Sequence, residues 1–312
     1  MNINKKTKVK IARYYYHEGF TQTKIAEKLS IPRQTVNKIV KNLVDDGIVR
    51  IEIIEGPYFN TELENKLEKK YKLKQVILVD YDDPEEINNL LGKKGANFFE
   101  SLLNSNTKVG LSWGNTLSSF ASNLTKKNYK DVTVVQLVGG SNNLDNSIKA
   151  DEITRITAEK IGGESCLLYA PSHVQNQKNK EAFLSEENIE NVFNEMNDCD
   201  MAVVGIGEMS ENATLFKGKY LSKVHYEELL AADCVGDICS RYFDSEGKIV
   251  NHPINNTVIG IDIEKLKDIP VVIGIAGGEN KFKAISGALK GNFLDILITT
   301  TDVAKKLVGE EV

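Results

Sequence analysis

Apolar positions in the first fifty residues recur at helical spacing, in three segments before residue 48. The first spans about Lys5 to Glu18 and closes at Gly19, a residue suited to the left-handed turn that ends helices. The second opens at Thr21, a suitable N-cap, and runs through Ile25, Ala26 and Leu29. Ser30-Ile31-Pro32 interrupts it. The third spans about Arg33 to Asp46, with Val36, Ile39, Val40 and Leu43 on one face, and closes at Gly47. Ile48 to Ile53 then alternates as a strand does and could form a wing.

From residue 75 the pattern changes. Short apolar runs at 75–80, 108–112, 132–138, 200–206, 257–262, 270–276 and 294–299 predict strands. Amphipathic stretches at 87–103, 115–126, 147–161, 279–290 and 301–308 predict helices between them. Strand–helix alternation with β-branched strands reads as an α/β domain with a mostly parallel, Rossmann-like sheet. Such sheets bind ligands where loops leave the C-terminal strand ends. Gly56-Pro57 breaks the chain between the two patterns. The expected organisation is a helix-turn-helix domain over 1–53, all-α with a small wing. A linker and connecting helix follow over 54–72, and a ligand-binding and oligomerisation domain over 73–312. The charged stretch Glu62 to Tyr71 would connect the domains and help the chain dimerise.

Composition narrows the partners. Hydrophobic residues make up 41% of the 312, enough for a core. No apolar run approaches the ~20 residues of a membrane span. The basic start has no apolar run after it, so a cytoplasmic protein without a membrane partner is expected. Cys166, Cys199, Cys234 and Cys239 form no CxxC pair and read as buried thiols, not as metal ligands. The net charge of −5 taken alone argues against nucleic acid. It conceals an asymmetry: residues 1–52 carry +6 and the rest −11.

The cationic head also has residues that read bases. Arg33, Gln34, Thr35, Asn37, Lys38 and Lys41 fall on or beside the polar face of the third helical segment. Gln and Asn pair with adenine, Arg with guanine, and Lys neutralises phosphate. Double-stranded operator DNA is the expected partner, with an ordinary three-helix packing unit as the alternative.

In the body, glycine-rich turns follow four predicted strands: Gly114-Asn115-Thr116, Gly139-Gly140-Ser141, Gly205-Ile206-Gly207 and Gly277-Gly278 before Lys281. Glycine lets backbone N–H groups approach a ligand, and a following helix N-terminus favours an anion. Neither GxGxxG nor a P-loop is present, which argues against dinucleotides and nucleoside triphosphates. A small phosphorylated ligand fits these turns. In an acidic body its site would be a local positive pocket.

VGLSWGNTL (109–117), VVQLVGG (134–140), VGDICSRYFDSEGKIV (235–250) and IGIAGGENKFKAISGALKGNFLDILIT (273–299) resemble the SorC family of sugar-binding bacterial transcription regulators. The resemblance covers essentially the whole chain. Through GDICSRYFD it leans to that family's deoxyribonucleoside branch. It implies a ligand domain with the fold of ribose-5-phosphate isomerase and glucosamine-6-phosphate deaminase. It further implies a homodimer or homotetramer on operator DNA, a repressor of a carbohydrate or nucleoside operon, and a phosphorylated sugar as effector, with no cofactor.

The implied pocket places phosphate on Gly114, Asn115 and Thr116, with charge from Lys281 beside Gly277-Gly278. Asp237 would accept hydrogen bonds from sugar hydroxyls, Gly139-Gly140 would form a floor, and Lys149 would face the ligand. Asn115 could instead cap a helix, Lys149 could be solvated, and Asp237 could pair with Arg241. Val138 departs from relatives that carry a basic residue there. Two other readings stand beside the regulator. One is a sugar-phosphate isomerase or deaminase with a regulatory head, drawing on Asp237, His173, His225 or His252. The other is a module that binds RNA or protein. No acid–base constellation is legible in the spacing, so no catalytic residue is assigned.

Overall fold

The computed structural model describes residues 3–51, 60–140, 149–210 and 221–309. The chain divides into two compact units, Met1–Phe59 and Asn60–Val312.

In the first unit Asn4 caps helix Lys5–Ala12, its side chain accepting from the Thr7 N–H. The next turn, Arg13–His17, is π-helical, where the pattern predicts continuous α-helix to Glu18. Tyr14 at this wider turn stacks on Phe20, with ring centroids 5.6 Å apart. Thr21 caps helix Gln22–Leu29 through its hydroxyl, as its sequence position predicts. Ser30 takes a left-handed conformation, and Pro32 stands just before helix Arg33–Asn42. The Pro32 carbonyl accepts from the N–H groups of Thr35 and Val36 and so starts that helix.

The third helix ends at Asn42, four residues before its expected end at Asp46. The Leu43 carbonyl accepts from Ile48 and Val49, turning the chain back after Gly47. Ile11, Ala12, Ile25, Ala26, Val36, Ile39, Val40 and Leu43 form the buried core of this unit. Residues 48–51 form no strand, and positions 52–53 of the expected wing lie outside the described residues.

In the second unit seven parallel strands form one sheet, in the order β1-β10-β9-β5-β2-β3-β4. They are β1 (Gln75–Val79), β2 (Lys108–Leu111), β3 (Thr133–Gln136), β4 (Glu164–Cys166), β5 (Met201–Gly205), β9 (Val272–Ile275) and β10 (Ile296–Thr300). Alternate residues bury on opposite faces, as a doubly covered sheet requires. Ile77, Val109, Val203 and Ile298 pack in the core of one face, beneath helices Ile87–Leu102, Asn115–Asn123 and Ala150–Ile161. Val76, Val135, Val204 and Leu297 pack in the core of the other face. Helices Glu187–Asn197, Phe282–Lys290 and Thr301–Val308 cover that face.

Six of the seven predicted strands form. Residues 257–262 contribute only isolated bridges, Val258 to His173 and Gly260 to Val138. The N–H groups of Leu137 and Ile259 that would extend that ladder go to Leu111 and Ser172, and the Arg241 guanidinium takes the carbonyls of Gly260 and Ile261. A second sheet is antiparallel, with β6 (Gly207–Glu208), β7 (Cys234–Ile238) and β8 (Arg241–Asp244) in that order.

The charged helix Thr61–Tyr71 packs on the body. Leu63 and Leu67 are buried in the body's core. Glu68 and Glu64 accept the N–H groups of Val76 and Leu78 on the edge strand β1. Lys70 donates to the Leu307 carbonyl. Its carboxylates supply acceptors to donors that an edge strand would otherwise leave unpaired. Among the described residues no helix is long and apolar enough to cross a membrane.

Candidate functional site

The chain leaves β2 toward β3 on one side and leaves β5 toward β9 on the other, so the crossovers diverge between β2 and β5. Such a divergence opens a crevice at the C-terminal strand ends. A cavity lies there. Its lining includes Ser112 to Leu117 after β2, Gly205 to Glu208 after β5, and Gly277, Asn280 and Lys281 after β9. Asn88, Asp237 and Cys239 complete its polar wall.

Helix Asn115–Asn123 points its N-terminus at the cavity. Gly114 precedes it with φ 139°, a backbone conformation that a side chain rarely permits. The first intrahelical bond runs from the Ser118 N–H to the Gly114 carbonyl. The earlier N–H groups therefore lack acceptors within the helix and carry its positive dipole end. Thr116 Oγ1 donates to Asn88 Oδ1 at 2.7 Å, which fixes the hydroxyl's direction. Trp113 packs against three apolar clusters, as a core residue does.

Asp237 reaches the cavity from β7. Its Oδ2 accepts the Ser240 N–H at 3.1 Å within the tight turn to β8. Cys239 and Ser240 both have positive φ there, 51° and 61°, unusual for non-glycine residues. Burial pushes the Asp237 carboxyl up to about 7, against the downward pull of the Ser240 N–H and Lys281, while Glu208 pushes it further up. At neutral pH the group therefore divides between an acceptor and a donor form. The expected pairing of Asp237 with Arg241 does not form. Arg241 meets Asp262 at 2.6 Å and the carbonyls of Asn255, Gly260 and Ile261.

The pocket is not simply positive. Lys281 Nζ donates to the Ile206 carbonyl at 2.6 Å and lies 3.5 Å from Glu208 Oε2. Glu208 was not legible as a site residue, because nothing in its neighbours marks the end of a two-residue strand. Its one signal is its place just after Gly205-Ile206-Gly207.

Gly114, Asn115, Thr116, Asp237, Gly277 and Lys281 thus converge on one cavity. The other expected residues do not line it. The N–H groups of Gly139 and Gly140 donate to Ile259 and Ala170, and a Cβ on Gly139 would strike the Pro171 carbonyl. Close backbone packing explains Gly139, whereas a Cβ on Gly140 would meet nothing. The Gly278 N–H donates to Thr300 Oγ1. Lys149 stands exposed at the N-cap of helix Ala150–Ile161. Val138 is fully buried in the core.

No histidine lines the cavity among the described residues. Burial, aided by Arg241 and His225, lowers His173 to about 4. The four cysteines are unpaired thiols; three are buried and Cys166 is partly so. In the first unit Arg33, Gln34, Asn37, Lys38 and Lys41 are exposed, and Thr35 is half-buried.

Residues 57–309 match the family described as "Putative sugar-binding domain", and residues 14–56 match the MarR family. The chain is 30% identical over 304 residues to the sorbitol operon regulator of Klebsiella pneumoniae, covering 96% of each. It is 31% identical over 305 residues to the deoxyribonucleoside regulator of Bacillus subtilis, covering 97% of each. The crystal structure of the full-length Klebsiella pneumoniae regulator superposes with a TM-score of 0.77 at 30% identity. That match covers 97% of this chain and 98% of the other. These relatives are transcriptional regulators, not enzymes.

Proposed function

The chain belongs to the SorC family of sugar-binding transcriptional regulators, and we propose that a phosphorylated sugar in the cavity controls its hold on operator DNA. One observation carries this reading: the N-terminus of helix Asn115–Asn123 and Lys281 face the same cavity as Asp237. The first two suit an anion. Asp237, with its Oδ2 on the Ser240 N–H, suits a sugar hydroxyl through its other oxygen.

The strand order and the crevice between β2 and β5 also support a likeness to ribose-5-phosphate isomerase and glucosamine-6-phosphate deaminase. In this reading the cavity keeps recognition without catalysis, as the regulators it resembles do. On the DNA side, Arg33, Gln34, Thr35, Asn37, Lys38 and Lys41 form the reading face, with an operator in the major groove as partner. The chain acts as a homodimer or homotetramer and represses its operon until the sugar phosphate arrives. A ligand shifts such an equilibrium only through different affinities for its two states. The shift alters the spacing of paired recognition helices, which must match half-sites about one helical turn apart or a multiple of it.

The test is a thermal-shift panel of pentose, deoxypentose and hexose phosphates, followed by operator gel shifts with each stabilising compound. At least one phosphorylated sugar should stabilise the protein and change operator affinity. Lys281→Ala should keep operator binding and lose the response. A Lys281→Ala protein that responds as the wild type does would refute the assignment of the cavity.

A further inference from the structure

Among the described lining residues Lys281 is the only cation, and it is already engaged. Its ammonium donates to the Ile206 carbonyl and lies within ion-pair distance of Glu208 Oε2. The other Glu208 oxygen accepts from Asn280 Nδ2 at 3.0 Å and from Ser210 Oγ at 3.4 Å. The lysine and glutamate side chains are only 21% and 12% exposed, so water screens the pair weakly. Glu208 ends β6, whose partner strand carries Asp237. Lys281 and Asn280 stand on the loop after β9. The ion pair therefore ties two walls of the cavity together.

We infer that Glu208 is an internal counter-ion that a phosphate group must displace from Lys281, so that ligand charge opens the contact. The inference rests on the sugar-phosphate reading and adds its selectivity. A phosphate in contact with Lys281 would also meet the Glu208 carboxylate, and the two like charges repel strongly where water screens them weakly. A phosphate dianion outbids a single carboxylate for the ammonium, because it brings more charge and further help from the helix N-terminus at Asn115. An unphosphorylated sugar has no charge with which to compete and leaves the pair closed. Once displaced, Glu208 keeps its Asn280 partner but loses the lysine. The change falls on β6, a strand of two residues paired with Gly236 and Asp237. Glu208 is thus a positioning residue, acting through Lys281 and β6.

The test uses the full chain with Glu208→Gln, which keeps the shape and an acceptor for Asn280 but removes the charge. Without any ligand, acetylation of Lys281, followed by mass spectrometry, should be about tenfold faster in the variant. Calorimetry with inorganic phosphate should show affinity raised by about tenfold, the order expected when one neighbouring charge is removed from a partly buried site. Affinity for ribose, a neutral probe, should not change. A merely structural role would lower phosphate affinity, so weaker or equal binding by E208Q overturns the inference. Unchanged acetylation with phosphate bound overturns it while leaving the sugar-phosphate reading in place. Faster acetylation with no binding of phosphate or of any sugar phosphate by either protein overturns both.

Discussion

Gly207 faces Asp237 across the β6–β7 pair so closely that no Cβ fits between the Gly207 backbone and Asp237 Oδ1. The glycine is what allows the carboxyl to reach the cavity wall while its other oxygen holds the Ser240 N–H. Gly207→Ala must push Asp237 aside. It should cost about 1–3 kcal/mol of stability and weaken sugar-phosphate binding at least about tenfold, a loss of ~1.4 kcal/mol. Gly205→Ala is the internal control: its Cβ would meet Trp113 O at 3.5 Å and Leu117 Cγ at 3.9 Å, ordinary contacts. Urea unfolding and calorimetry on the two variants should separate clearly.

The raised Asp237 carboxyl gives the stability a pH signature. In the unfolded chain the group releases its proton near 3.8, and in the fold near 7. Between those values the native state holds a proton that the unfolded state has lost, so stability falls as pH rises from about 4 to about 7 and levels off above. Asp237 contributes at most about 4 kcal/mol to that fall. Asp237→Asn should flatten this part of the profile and make the protein relatively more stable at pH 8 than at pH 5. A wild-type profile that rises monotonically from pH 5 to 7, unchanged by the substitution, would contradict the buried neutral acid.

The difference between Gly207 and Gly139 shows what a sequence makes visible. Both stand in glycine-rich turns after apolar runs and read alike. Only three-dimensional packing separates a glycine that admits a carboxyl from one pressed against the Pro171 carbonyl. Six of the seven strands of the main sheet, the helix-turn-helix and the helix start at Asn115 were legible because period and punctuation are local; the three-residue edge strand β4 was too short to show a pattern. The antiparallel sheet was not, since β6 has two residues and β7–β8 turns on Cys239-Ser240, with no glycine, proline or asparagine to mark the positive φ angles. Lys281 was legible as a cation, but its counter-ion lies 73 positions away and has no local signal.

Arg241, on β8 after the turn that holds Asp237, should prove a structural residue. Its buried guanidinium satisfies three backbone carbonyls, at Asn255, Gly260 and Ile261. Asp262, its carboxylate partner, is 67% exposed. Arg241→Met strands those carbonyls and should lower stability by about 3 kcal/mol or more. Asp262→Asn should cost less, because the guanidinium keeps its three carbonyls and the lost carboxylate is exposed. Equal losses for the two variants in urea unfolding would show that the ion pair, not the carbonyl set, carries the effect.

Thr116 and Asn88 test the anion site from its other side. The 2.7 Å bond from Thr116 Oγ1 to Asn88 Oδ1 aims the hydroxyl, and Thr116 is nearly buried. Thr116→Val keeps the shape and removes the donor. The hydroxyl's one proton is spent on Asn88, so its loss is felt through the released Asn88 side chain, and sugar-phosphate affinity should drop about fivefold, near the ~1 kcal/mol of an ordinary hydrogen bond. Thr116→Ser should restore most of it. Operator affinity without ligand should be the same in all three proteins, by fluorescence anisotropy.

Gln34 and Lys41 separate the two kinds of DNA contact expected of the head. Both are exposed on helix Arg33–Asn42, Gln34 in its first turn and Lys41 in its last, while Val36, Ile39 and Val40 bury the opposite face. A recognition helix presents its N-terminal residues to base edges, so in the proposed reading Gln34 meets a base. Gln34→Ala should cost about 1–3 kcal/mol on the cognate operator and relax the preference at one position. A lysine at the far end of the helix neutralises phosphate. Lys41→Gln should weaken binding to all sequences alike and reduce the slope of log affinity against log salt by about 1. Neither change should alter sugar-phosphate affinity, since both residues lie in the unit Met1–Phe59 and the cavity lies in Asn60–Val312. Anisotropy titrations at several salt concentrations, on cognate and scrambled duplexes, decide it. If Gln34→Ala weakens both duplexes equally, the helix docks with its first turn away from the bases.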